Sequence, residues 1–181
     1  VCIKQVPVLS RVKFDFDTRT IVREGIPLEV NTFDLLAVDR AVELARETGG
    51  EVVVLTMGPP QARDALIQCL AMGADRALHL TDRAMAGSDA LATARSLAMA
   101  LSSEGFDIVL CGKHSTDAET GQVGPETAEL LNLPYVGDVR KLDYLPEERS
   151  ILVKRVTDDG YEVIRGPTPI VVSVVEGIMT E

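Results

Sequence analysis

Cys111-Gly112-Lys113-His114-Ser115-Thr116-Asp117-Ala118-Glu119-Thr120-Gly121-Gln122-Val123-Gly124-Pro125 is the stretch whose reading decides the fold. Before it, Phe106-Asp-Ile-Val-Leu-Cys111 is a short apolar run of the kind a buried strand makes. After it, Glu126-Thr-Ala-Glu-Leu-Leu131 repeats apolar residues at helical spacing. The pattern predicts strand, loop, helix. Three glycines, two threonines and a serine let the loop turn amides and hydroxyls inward at the start of a helix, where the dipole favours anions. A phosphate group suits that chemistry. A long polar loop directly after a buried strand is also where open α/β sheets hold ligands.

Upstream of this stretch the chain reads as a series of such units. Val1-Cys-Ile-Lys-Gln-Val6 predicts a first strand ended by Pro7. Residues 8–30 alternate weakly, with Val12, Phe14 and Phe16 on one parity, and predict a hairpin-like excursion through Thr18 to Gly25. Asn31 or Thr32 stands where a cap belongs, ahead of a stripe of Leu35, Leu36, Val38, Ala41, Val42 and Leu44 that ends at Gly49-Gly50. Glu51-Val-Val-Val-Leu-Thr56 is a β-branched run suited to a strand covered on both faces, and Gly58-Pro59-Pro60 turns the chain. A second helix runs from Ala62 to Met72, stopping at Gly73 before a short strand over Arg76 to Leu80. Ser88 or Asp89 caps a third helix that reaches about Leu101.

Downstream, the character changes. Val139 to Leu145, Ser150 to Val156 and Tyr161 to Ile164 predict short strands of an antiparallel flap, followed by a last buried strand within Pro169 to Val175. The repeated strand, loop and helix predict an α/β fold: an open, mostly parallel, Rossmann-like sheet with helices on both faces and right-handed crossovers. The expectation is a single nucleotide-binding domain over residues 1–181, with a small β appendage at about 135–165.

Composition narrows the function. With 46% hydrophobic residues the 181-residue chain can bury a core and is not a disordered segment. A net charge of -10 repels nucleic acid and anionic membrane alike, so neither is an expected partner. No run approaches the ~18 apolar residues of a membrane span, and no basic-then-apolar leader opens the chain. Cys2, Cys69 and Cys111 are scattered through apolar runs, which predicts buried thiols in a reducing compartment and neither a disulfide nor a metal site. Of the two histidines, His79 reads as a packed or surface strand residue; His114, in the loop, reads equally as a ligand contact or a solvent-facing group. Asp117 and Glu119 either orient a hydroxyl or ribose or serve as helix-initiating acids. The Walker loop, the G-x-G-x-x-G fingerprint and the G-x-S-x-G elbow are all absent. No catalytic residue is expected.

Several motifs in order carry a resemblance. They are Val1-Cys-Ile-Lys-Gln-Val-Pro7; Asn31-Thr-Phe-Asp34 leading into Ala37-Val-Asp-Arg-Ala-Val-Glu-Leu44; Met57-Gly-Pro-Pro60; Ala71-Met-Gly-Ala-Asp-Arg76; and Gly112 through Gln122. Val153-Lys-Arg-Val-Thr-Asp-Asp-Gly-Tyr-Glu-Val-Ile164 followed by Pro169-Ile-Val-Val completes the set. Together they resemble, essentially end to end, the beta subunit of electron transfer flavoproteins.

That resemblance implies an electron-carrier subunit with no bond-making chemistry of its own. Its partner, an alpha subunit, holds most of a redox-active FAD, and the pair shuttles electrons from flavin dehydrogenases to a quinone-linked or other acceptor. The beta subunit buries an AMP. The matching positions are Cys2; Asn31, Thr32, Phe33 and Asp34; Met57; and Gly112, Lys113, His114, Ser115, Thr116, Asp117, Ala118, Glu119, Thr120, Gly121, Gln122 and Val123. The cell compartment implied is the cytoplasm of a bacterium or archaeon, or the mitochondrial matrix.

Some positions depart from the family pattern. Val8 stands where many relatives carry Asp, and Ser115 to Pro125 resembles the form of flavin-bifurcating members, in which a second FAD replaces AMP and NADH reduces it. Ala118 and Gly121 differ from that form, so AMP and a second FAD both remain open. The family's C-terminal docking segment is expected to be missing. An ATP-using or AMP-sensing α/β protein is the competing class; its S-G-G-x-D-S loop is replaced here by Pro7-Val-Leu-Ser10.

Overall fold

The computed structural model describes residues 1–8, 10, 13–15, 20–22 and 25–179. In chain order the elements are β1 (Gln5–Pro7), β2 (Lys13–Asp15), β3 (Thr20–Val22), β4 (Leu28–Val30), α1 (Thr32–Thr48), β5 (Val53–Met57), α2 (Arg63–Met72) and β6 (Arg76–Leu80). There follow α3 (Ala90–Ser102), β7 (Ile108–Gly112), α4 (Val123–Leu130), β8 (Tyr135–Leu145), β9 (Ser150–Thr157), β10 (Gly160–Pro167) and β11 (Ile170–Met179).

The opening segment, Val1 to Lys4, lies between β5 and β7. Leu55 N donates to Val1 O at 2.8 Å and Ile3 N to Leu55 O at 2.9 Å, while Cys2 N donates to Leu110 O at 2.9 Å on the other side. β5 pairs in parallel with β6, and β7 in parallel with β11, which pairs in parallel with β8. Side chains alternate across this array, as strand geometry requires. Ile3, Val54, Leu110 and Val172 pack with α1 and α2 on one face; Cys2, Leu55, Val109 and Val171 pack with α3 and α4 on the other.

The main sheet, ordered β10-β9-β8-β11-β7, is mixed, with β8, β11 and β7 parallel to one another. β8, β9 and β10 pair antiparallel, and they continue the sheet instead of standing off it as an appendage. The cause is loop length. β8 reaches β9 through Pro146 to Arg149, where Arg149 sits at φ 46°, and β9 reaches β10 through a two-residue turn ahead of Gly160. Connections that short close hairpins, whereas a parallel crossover needs roughly a dozen residues. Val139, Leu142, Ile151 and Val153 of these strands join the α1 side of the core. Arg40 of α1, 1% exposed, locks them there: its Nε and Nη2 donate to Leu142 O at 3.0 and 2.6 Å, and Nη1 reaches Glu43 at 3.0 Å.

The first strand is likewise two pieces. Val1 to Lys4 belongs to the central array, whereas β1 swings out to pair antiparallel with β4. β2 and β3 pair antiparallel with Phe14 opposite Ile21, the expected excursion; Val12 and Phe16 lie outside the described residues. α1 ends at Gly49 (φ 72°), α2 at Gly73 (φ 119°), and Asp89 caps α3 by accepting from Ala92 N at 2.8 Å. Among the described residues no helix is long and apolar enough to cross a membrane.

Candidate functional site

Where the C-terminal ends of the Val1–Lys4 segment, β5, β6 and β7 converge, the fold leaves a cavity of about 920 Å³. Its floor is formed by Cys2 to Lys4 and Gly112, and one wall by the loop that runs on into α4. The turn Met57 to Pro60 and the segment Thr81 to Ala90 make the opposite side. The first amides of α4, which have no intrahelical acceptor, begin at this cavity and give it a positive pole.

The loop is held from behind by the start of α1. Asn31 is fully buried and occupies the N-cap position without a side-chain cap bond. Its Nδ2 instead donates to His114 O at 2.9 Å, and its Oδ1 accepts from Thr116 N at 3.1 Å. One turn on, Asp34 is 6% exposed and spreads its two oxygens between two elements. Oδ2 accepts from Lys4 N at 2.8 Å, and Oδ1 from Gly112 N at 2.9 Å. Burial pushes this carboxyl up to about 7, against the opposing pull of the Lys4 and Gly112 amides, the Asn31 side chain and the Lys4 charge. A side chain at Gly112 would not fit, since its Cβ would stand 2.5 Å from both Asp34 Oδ1 and Phe33 Cβ. His114 lies edge-on to Phe33 with ring centroids 4.8 Å apart.

The front of the loop is closed by charge. Lys4 Nζ reaches Asp117 at 2.7 Å and Ser115 Oγ at 3.3 Å, and Lys113 Nζ reaches Asp138 at 2.8 Å. Partial burial of Asp117 works to raise its carboxyl, but Lys4 and Ser115 together hold it below the usual carboxylate range. Glu119, at φ 54°, closes a turn by donating its amide to Ser115 O at 2.8 Å.

Of the residues singled out in the sequence, Cys2, Asp34, Met57, Gly112, Lys113 and His114 line the cavity. Ser115, Ala118, Thr120, Gly121, Gln122 and Val123 do so as well. Asn31, Phe33, Thr116 and Asp117 brace the loop without lining the cavity, and Thr32 is exposed at the start of α1. Asp117 and Glu119 both precede α4, which begins at Val123, so neither stands in its first turn. His79 is half-buried on β6, its Nε2 3.1 Å from Gly58 O. Cys2, Cys69 and Cys111 are free thiols, and burial pushes all three up, leaving them neutral and unreactive. No cluster suited to a metal ion occurs among the described residues.

The wall from Thr81 to Ala90 was not anticipated. It contains Arg83 and the turn around Gly87 (φ 77°), and is tied by Asp82 Oδ1 accepting from Ala84 N at 2.8 Å and Ser88 Oγ donating to Met85 O at 2.8 Å. The signal that could have found it is position: it follows β6, so it stands at a strand's C-terminal end like the other walls.

Comparison with known proteins places this chain in a family. The family described as "Electron transfer flavoprotein domain" matches residues 18–181. The electron transfer flavoprotein subunit beta of Thermoanaerobacterium thermosaccharolyticum is 44% identical over 176 residues, covering 97% of this chain and 67% of that protein. The chain belongs to the electron transfer flavoprotein family, as a relative of its beta subunits. Other members of the electron transfer flavoprotein family are close by. Protein FixA of Azorhizobium caulinodans is 44% identical over 184 residues, 97% of this chain and 65% of that one. The caffeyl-CoA reductase-Etf complex subunit CarD of Acetobacterium woodii is 43% identical over 178 residues, 97% and 67%. The chain thus spans about two thirds of the length of these electron transfer flavoprotein relatives.

Proposed function

We propose that this chain is the nucleotide-binding beta subunit of a heterodimeric electron transfer flavoprotein, folded as one Rossmann-like domain in the cytoplasm. It binds AMP structurally and helps to enclose an FAD held by the alpha subunit, which accepts electrons from flavin dehydrogenases and passes them to a quinone-linked or other acceptor. The observation that carries the nucleotide reading is the cavity: four strand ends, a glycine-containing loop and the start of α4 face one space. That donor set fits an anion. The loop and the α4 amides receive the phosphate, with Lys113 and His114 beside it, and Cys2 and Met57 offer apolar surface to the adenosine. The flavin, when bound, supplies the redox chemistry; the work of this chain is to bind, orient and exclude water.

A second reading, in which a second FAD takes the place of AMP, is favoured by size. At about 920 Å³ the cavity lies near the upper end of the range of roughly 300–1,000 Å³ seen for small-molecule sites. Purifying the full-length chain with its companion subunit and identifying the released nucleotides by mass spectrometry tests both. One FAD with one AMP supports the first reading, and two FAD the second. A preparation that carries no nucleotide in this subunit, or that turns over ATP, overturns both.

A further inference from the structure

The cavity that suits an anion also carries a buried acid. Asp34 lines it, is 6% exposed, and is bonded through both oxygens to backbone amides. The charges around it are already spoken for. From the first segment Lys4 faces it, but the Lys4 ammonium is paired with Asp117; from the loop come Lys113, paired with Asp138, and His114, edge-on to Phe33. Cys2, Cys111 of β7 and Cys69 of α2 are the remaining titratable neighbours, all neutral thiols. Across the cavity stand Asp82, Arg83 and Asp89. Asp34 is therefore a buried acid compensated mainly by amide dipoles, with the Asn31 side chain and the Lys4 charge, which Asp117 shares, as its other support, beside a space suited to a phosphate.

We propose that Asp34 makes nucleotide binding proton-linked: when a phosphate enters beside the Gly112–Val123 loop, the Asp34 carboxylate takes up one proton from the solvent. The inference rests on the nucleotide reading above. Two anions in one cavity repel, and the cheaper response of a buried carboxyl is to become neutral. A bond forms between a carboxylate oxygen and the proton, the buffer supplies the proton, and no other bond changes. Since burial already holds Asp34 at about 7, the exchange falls in the physiological range. The sign follows: the bound state holds the proton more tightly than the free state, so affinity declines as pH rises above about 7.

The test is calorimetric titration of AMP into the full-length protein with its companion subunit, after removal of the resident nucleotide from this cavity. Two buffers of different ionisation enthalpy are used between pH 7 and 8.5, where a phosphate monoester, with its second ionisation near about 6, is dianionic throughout. Expected is net uptake of a fraction of a proton, and roughly fourfold weaker binding from pH 7 to pH 8.5 if binding raises Asp34 by one unit. In Asp34→Asn, which keeps the shape and removes the charge, uptake vanishes and affinity is level with pH. Wild-type binding with no buffer dependence, or uptake that persists in Asp34→Asn, overturns the inference and leaves the nucleotide reading standing. If Asp34→Asn does not fold, the carboxyl-carbon resonance of Asp34 is titrated in the wild type: its midpoint must rise when AMP is added, and an unchanged or lower midpoint overturns the inference. No heat with AMP or FAD at any pH overturns the nucleotide reading, and this inference with it.

Discussion

The loop from Gly112 to Val123 and the hairpins β8 to β10 both depend on α1, and in opposite ways. The loop has almost no regular structure and is held by a few polar bonds, from Asn31 to His114 and Thr116 and from Asp34 to Gly112. The hairpins carry long ladders, with one register shift between Val139 and Lys141, and an apolar underside, and α1 adds one clamp, Arg40 on Leu142 O. A ladder shares its stability among many contacts. The loop depends on a few polar contacts, foremost those of two side chains at the start of one helix, which is what a binding site needs if its amides are to stay directed at a ligand.

If that contrast is right, pH should distinguish the two regions most sharply. The folded-state value of Asp34, about 7, lies above the ordinary 3.8. The resulting stability is complete below about pH 4 and lost as pH rises through about 7, an effect on the order of 4 kcal/mol. Urea denaturation of the nucleotide-free protein at pH 5 and pH 8 should show wild type losing ground to Asp34→Asn at the higher pH. Equal pH profiles would break the comparison.

Gly112→Ala comes next. The new Cβ would collide with Asp34 Oδ1 and Phe33, and overpacking of this kind costs about 3 kcal/mol at the upper end of its usual range. Because the clash falls on the bond that joins loop and helix, the variant should also lose its nucleotide, as measured by the AMP or FAD released from purified protein.

Arg40→Ala sharpens the other side. It leaves Leu142 O without its donor in the core, a cost of roughly 2 kcal/mol, while Glu43 and Glu47, each about half-exposed, can turn to water. The denaturation midpoint should fall, yet nucleotide content should hold. Loss of nucleotide in this variant would mean that hairpins and loop are one cooperative unit. The Lys4–Asp117 pair across the loop mouth is half-exposed, and such pairs contribute little by themselves.

Much of the fold was legible because local rules agreed. Gly49 and Gly73 stop their helices, Asp89 caps α3, and the β-branched run before Met57 lies in a strand covered on both faces. The loop could be singled out by its composition and its place after a strand. What misled was a missing distinction between neighbours along the chain and neighbours across the sheet. The three hairpin strands read as a small appendage of the one domain because their short turns set them apart in sequence, and β8 pairs with β11. Asn31 and Thr32 both suit a helix cap by type and position, and Asn31 does occupy it, but its side chain turns instead to residues more than eighty positions away.

From the sequence alone came the helix ends, the buried strands, the glycine-containing loop and the family, since each is written in short-range patterns or in motifs kept in order. Tertiary structure alone decided that Asp34 bridges Lys4 and Gly112, that Thr81 to Ala90 closes the cavity, and that the sheet is mixed. Those features depend on which distant segments meet, and a carboxylate acquires its unusual proton affinity only when folding takes it out of water.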